Sequence, residues 1–150
     1  MKNITFSYIK DGATKKSGEI LNMIQNHGFT ILALKPYCFT EGHAKMFYNE
    51  HKGKSFYDKL IQFTVGESSL PTSVIVMILS SPDNTIDSFR KFIGATDPNK
   101  AYVGSIRQLF GDPKRYANGE PTNAIHGSDS RKSAIREIKL IFPEFIFDEE

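Results

Sequence analysis

The feature that most narrows the choice of fold is the order in which the chain switches between a two-residue and a helical hydrophobic period. "NITFSYI", residues 3–9, alternates, carries β-formers and reads as a strand. "SGEILNMIQNHG", 17–28, sets Ile20, Met23, Ile24 and His27 at helical spacing, with Gly28 placed to end the helix. "FTILALKPY", 29–37, returns to strand, and two short helices follow at 40–53 and 55–66. "SVIVMILS", 73–80, is the most apolar strand, and "NTIDSFRKFIGA", 84–95, is a helix with Ile86, Phe89 and Ile93 inward. A helical turn at 105–111, a short strand at 123–128 and a helix over 128–142 complete the order; the last opens on cap residues and runs Ala134, Ile138 and Ile141 along one side. With the helical pair set apart, the order is β-α-β-β-α-β. It predicts an α+β, ferredoxin-like sandwich: a four-stranded antiparallel sheet with helices packed on one face, plus the helical-pair insertion. At 150 residues a single domain, 1–150, is expected.

Composition excludes more than it selects. No stretch approaches the roughly 18 apolar residues of a membrane helix, and the N-terminus lacks the pattern of a signal peptide. Cys38, the one cysteine, rules out an internal disulfide, fits a reducing cytoplasm and reads as a small half-buried residue. A net charge of +2 is too mild for a dedicated nucleic-acid binder but leaves room for a local cationic cluster that holds a small polyanion.

"NAIHGSDS", 123–130, carries the chemistry. An imidazole at the end of a strand that leads into a helix lies near free backbone N–H groups, which favour an anion. Neutral imidazole is also a nucleophile, a base and a metal ligand. An isolated histidine there would ordinarily be a cap. The company of Asn123, Ser128 and Asp129, with Glu137 placed to reach back and fix the tautomer of His126, favours nucleophilic work. Lys10, Arg90 and Arg107 come from separate elements and, if they converged on His126, would neutralise a transferring phosphoryl group. Phe47, Tyr48, Phe56 and Tyr57 read as packing, with a rim aromatic able to stack on a base. His27, His43 and His51 form no metal-ligand spacing, and the chain has no G-x-x-x-x-G-K-[ST], G-x-G-x-x-G or G-x-S-x-G motif.

The octapeptide resembles the active-site signature of nucleoside diphosphate kinases. The likeness extends over nearly the whole chain: "ITFSYIK" is similar to the family's first strand and its lysine, "FYNEHKGKSFYDKL" to its helical pair, "FRKFIGATDP" and "GSIRQLF" to its phosphate-binding segments, and "SAIREI" to the helix that supplies its glutamate. The resemblance implies a ping-pong transfer of the γ-phosphate of ATP or another nucleoside triphosphate to a nucleoside diphosphate through a phosphohistidine on His126. It implies phosphate contacts by Arg90, Arg107, Thr96 and Tyr48, sugar and phosphate contacts by Lys10 and Asn123, base stacking on Phe56, and orientation of His126 by Glu137 and Ser128. It also implies a water-mediated contact from Asp129 to phosphate-bound Mg²⁺, and assembly as a hexamer or tetramer. The chain departs from the family pattern at Asp11-Gly12, at Arg131, and by several extra residues in "GDPKRYANGEPT", 111–122, where Tyr116 would form the second wall of the base slot. Two other readings use the same motifs: a nucleotide-binding module without turnover, and a phosphohydrolase in which water takes the phosphoryl group from His126.

Overall fold

A computed structural model of the chain describes residues 3–66, 73–112 and 122–148. Four strands, β1 (Ile4–Ile9), β2 (Thr30–Cys38), β3 (Ser73–Ser80) and β4 (Ile125–Gly127), form one sheet in the order β2-β3-β1-β4. Every neighbouring pair is antiparallel. The helices are α1 (Ser17–Asn26), α2 (Glu41–Phe47), α3 (Tyr57–Val65), α4 (Thr85–Ile93), α5 (Ile106–Phe110) and α6 (Arg131–Ile141). This is the ferredoxin-like order read from the sequence. Gly28, at φ +106°, ends the turn after α1 as its position predicts.

The two helices of the β-α-β-β-α-β core share one face, as the sequence pattern predicts, and the helical pair and α6 cover the other. On one side of the sheet Met77, Leu79 and Ile9 pack with Ile20 and Ile24 of α1 and Phe89 and Ile93 of α4. On the other, Val74, Val76, Ile78, Phe6 and Tyr8 pack with Phe47, Ile61 of α3, and Ile138 and Ile141 of α6. The physical reason lies in β3, whose run of apolar residues has no polar face to turn to water. The helical pair and α6 cover what a one-faced sandwich would leave exposed.

At the outer edge, β2 pairs only with β3 and carries Pro36, which an edge strand tolerates because its missing N–H breaks no ladder. A bulge lies between Ile31 and Ala33, and Leu32 and Leu34, at exposed positions of this alternating strand, are about half exposed. Cys38, expected half-buried, is exposed at the end of this strand.

Two sequence boundaries move. The first helix of the pair stops at Phe47 and gives way to a 3₁₀ turn over Asn49–His51. The last strand covers 125–127, not 123–128, because Ala124 takes a left-handed φ of +68° that a strand cannot continue. There the Ile125 N–H donates to the Asn123 carbonyl at 2.7 Å, closing a three-residue turn. Just before it, Asp112 and Thr122 exchange two backbone hydrogen bonds of 2.8 Å and close the neck of the inserted segment. Tyr116 lies outside the described residues.

Candidate active site

β4 is three residues long and pairs on one side only, with Ser7, Tyr8 and Ile9 of β1 opposite Gly127, His126 and Ile125. So short an edge strand is marginal by itself. Each carbonyl from Ala124 to Gly127 is instead held from another element. The Lys10 N–H donates to Ala124 O at 2.8 Å. Arg107 donates to Ile125 O twice, from Nε at 3.3 Å and Nη2 at 3.0 Å. The Ser7 hydroxyl donates to His126 O at 2.6 Å, and Arg90 Nη1 reaches Gly127 O at 3.4 Å. The backbone that carries His126 is pinned on both sides of it.

The ring is fixed as firmly. His126 Nε2 is hydrogen-bonded to Oε1 of Glu137, which is buried on α6. With the carboxylate as the acceptor of this bond, the tautomer is the one in which Nε2 carries the proton and Nδ1 keeps its electron pair. Ser128, fully buried, stands 3.4 Å from the same carboxylate oxygen, and its hydroxyl is bound to the backbone of Phe6, accepting from N at 3.2 Å and facing O at 3.1 Å. Phe6, Tyr8 and Phe47 enclose the imidazole with aromatic rings. The site thus presents one unprotonated nitrogen, backed by a buried negative charge, on a rigid mount.

The three cations predicted from separate elements gather here. Burial and the charge of Arg107 push the Lys10 ammonium down to about 7. Burial and the charge of Arg90 push Arg107 down to about 10. Both shifts come first from burial and then from a neighbouring positive charge, which in Arg107 is partly offset by Asp129. Arg90 is also bound to Asp129 at 2.5 Å, at the mouth of the cleft. Thr96 and Asn123 meet across loops: Asn123 Nδ2 donates to the Thr96 carbonyl at 3.1 Å, while Asn123 Oδ1 is buried with no partner among the described residues.

A histidine paired with a buried carboxylate, on a strand held by Lys10, Arg107 and Arg90, is one half of the identification, and sequence comparison supplies the other. A family model for nucleoside diphosphate kinase matches residues 3–147. The chain is 42% identical over 151 residues to the nucleoside diphosphate kinase of Methanocaldococcus jannaschii, covering 99% of each. The chain belongs to the nucleoside diphosphate kinase family. It is 39% identical to the nucleoside diphosphate kinase of Glaesserella parasuis over 92% of this chain and 93% of that one. Among solved structures it resembles the nucleoside diphosphate kinase of Aquifex aeolicus, with a TM-score of 0.78 at 36% identity over 93% of this chain and 94% of that one. The enzyme of Encephalitozoon cuniculi gives 0.77 at 27% identity over 93% and 88%.

The remaining residues expected from the family sit around the cleft. Phe56 is 47% exposed on the rim, its ring 5.3 Å from His51. Tyr48 is buried, edge-on to His126, and its hydroxyl is engaged by Tyr8. The Asp11-Gly12 departure is absorbed by a tight turn: Gly12 takes φ +86° and the Ala13 N–H donates to Lys10 O at 3.1 Å.

Sequence reasoning missed the clamp behind Tyr48. Arg136 donates from Nη1 to the carbonyls of Met46 and Phe47, at 3.0 and 2.8 Å, and its Nη2 lies 3.3 Å from Glu50. Ser133 also donates to Glu50 at 2.9 Å. This network ties α6, and with it Glu137, to the end of α2. The one cue available was that Arg136 directly precedes Glu137. His51 buries its Nδ1 with no partner among the described residues, a feature that its sequence spacing does not signal.

Proposed function

We propose that this nucleoside diphosphate kinase transfers the γ-phosphate of ATP, or of another nucleoside triphosphate, to a nucleoside diphosphate in two half-reactions through His126. The observation that carries the reading is the pairing of Nε2 with the buried Glu137 carboxylate, which leaves Nδ1 as the nucleophile. In the first half-reaction the Nδ1 electron pair forms a bond to the γ-phosphorus. The bond from that phosphorus to the bridging oxygen breaks, and its pair leaves with the nucleoside diphosphate. The imidazole becomes positive, and Glu137 offsets that charge without moving a proton. In the second, a terminal oxygen of another nucleoside diphosphate attacks the phosphorus, and the pair of the N–P bond returns to Nδ1.

Phosphoryl transfer asks mainly for position and for charge that meets the phosphate oxygens. Arg90, Arg107, Tyr48 and Thr96 are assigned to those oxygens. Lys10 serves the phosphate and sugar region, and Asn123 Oδ1, an acceptor in want of a donor, serves a sugar hydroxyl. Phe56 stacks on the base by one open face, which binds without reading base edges and so tolerates many nucleotides. Among the described residues no cluster of three or more acidic, histidine or cysteine side chains could cage a metal. Mg²⁺ accordingly enters with the triphosphate as part of the substrate, neutralising its charge, with exposed Asp129 meeting it through water.

No helix among the described residues is long and apolar enough to cross a membrane. The exposed free thiol of Cys38 fits a reducing, cytoplasmic compartment. The half-exposed Leu32 and Leu34 on the free edge of β2 suit assembly into a homo-oligomer, a hexamer or tetramer.

The test is intact mass after incubation with ATP and Mg²⁺, before and after excess GDP. The expected result is one acid-labile phosphate that discharges to give GTP, absent in His126→Ala. Drainage to inorganic phosphate alone would replace the kinase by a phosphohydrolase. Exchange retained in His126→Ala would overturn the assignment of the nucleophile.

A further inference from the structure

Tyr8 lies opposite His126 in the β1–β4 register, and the two rings stack with centroids 5.3 Å apart and planes 23° from parallel. The Tyr8 side chain is 2% exposed, inside a cluster that includes Phe6, Phe39, Phe47 and Val76. It nevertheless carries a hydroxyl, hydrogen-bonded to the hydroxyl of Tyr48. The Thr64 hydroxyl stands beside both phenols and donates to the Leu60 carbonyl at 2.7 Å. Packing alone asks for none of this. Phenylalanine at position 8 would fill nearly the same volume, and a buried hydroxyl is unfavourable unless partnered.

A hydroxyl has one proton to donate and can also accept. If Tyr8 donates to the Tyr48 oxygen, the Tyr48 proton is released for another acceptor. Tyr48 lines the same cleft as His126 and Asp129. Burial, its largest cause, pushes the Tyr8 phenol up to about 12 and the Tyr48 phenol well above its ordinary value, so both remain protonated donors at neutral pH.

We propose that Tyr8 is a positioning residue for phosphoryl transfer: its ring sets the plane of the His126 imidazole, and its hydroxyl, donating to Tyr48, aims the Tyr48 proton at the phosphoryl group. The proposal rests on the reading of His126 as the nucleophile and of Tyr48 as a phosphate contact. Tyr8 touches neither nucleotide nor phosphoryl group and acts through its two neighbours.

The experiment is a double-mutant cycle, Tyr8→Phe, Tyr48→Phe and both together, read by rapid-quench measurement of phosphoenzyme formation from radiolabelled ATP. Wild-type phosphoenzyme is the control for the underlying reading; its failure to form would bring that reading down, and this proposal with it. Tyr8→Phe keeps the ring and is expected to lower the saturated rate of phosphorylation about fivefold, the scale of one lost hydrogen bond, with the half-saturating ATP concentration unchanged. Tyr48→Phe is expected to lose about tenfold on the same scale, and the double variant no more than Tyr48→Phe alone. A wild-type rate in Tyr8→Phe would overturn the proposal. So would losses that multiply in the double variant, because a packing role is blind to the hydroxyl of Tyr48. Melting temperatures of all four proteins check that the fold is kept.

Discussion

Arg107 grips the carbonyl of Ile125, the residue before His126, with two donors at 3.3 and 3.0 Å, and the carbonyl of Gly94 with a third at 3.1 Å. One side chain therefore joins the end of α4 to the strand that carries the nucleophile. Lysine cannot reproduce this fork. Arg107→Lys is expected to lose about 1.5–3 kcal/mol of stability, the scale of hydrogen bonds from a charged donor, and to lower the phosphorylation rate at saturating ATP by more than tenfold. Urea unfolding beside rapid-quench kinetics checks both. An unchanged midpoint would show that the grip on Ile125 does not hold the strand.

Lys10 makes stability depend on pH in a direction that can be worked out. Its folded-state pKa is pushed down to about 7 from the ordinary 10.5, by burial first and then by the charge of Arg107. Between those values the unfolded chain holds a proton that the folded chain lacks. Stability contributed by this group therefore rises with pH across the window, and the penalty is full below about pH 7. Lys10→Met removes it. The variant is expected to melt above wild type at pH 6–7, with the gap shrinking towards zero by about pH 10. A gap that stays constant with pH would refute the account.

Asn123 keeps a buried acceptor without a donor among the described residues. Asn123→Ala sheds the desolvation penalty of this acceptor and gives up the Nδ2 hydrogen bond to the Thr96 carbonyl, two effects of similar size and opposite sign. Asn123→Ala is expected to leave the melting temperature nearly unchanged while raising KM for ribonucleoside diphosphates about five- to twentyfold, the scale of one lost hydrogen bond to ligand. With a dideoxynucleoside diphosphate, variant and wild type should have the same KM. A penalty that persists without the sugar hydroxyls would place Asn123 elsewhere on the nucleotide.

Gly94 is a backbone requirement. Its φ is +96°, and a Cβ there would lie 2.7 Å from Ser105 Oγ and 3.1 Å from Ala101 Cβ. Gly94→Ala combines strain with overpacking, together about 1–3 kcal/mol. At this chain length that is a fall in melting temperature of about 2–4 °C per kcal/mol. Calorimetry that finds no fall would contradict the described loop.

Much of this was legible in the sequence because it is local. The strands and helices announced themselves by period, and His126, Ser128 and Glu137 lie within one strand-to-helix segment where helical spacing brings Glu137 back to the ring. What was not legible depends on residues distant in sequence. The second covered face of the sheet comes from the helical pair meeting α6. The low pKa of Lys10 needs Arg107 beside it. Tyr8, an aromatic at an alternating strand position, looks like any core residue until the register sets it against His126. Ala124 read as strand because alanine gives no hint of a left-handed φ.

The neck formed by Asp112 and Thr122 settles where this family member can vary. Strand positions have parity: one residue added between Thr122 and His126 would turn the imidazole through the sheet, towards Phe89 and Ile93, and two would restore the face but shift it along the strand by about 7 Å. Neither leaves the nitrogen under the phosphate. Residues added between Asp112 and Thr122 leave this parity untouched, because the two backbone bonds at the neck reset the count before β4 begins. The neck therefore separates the length of chain that precedes it from the register of the strand that carries the imidazole.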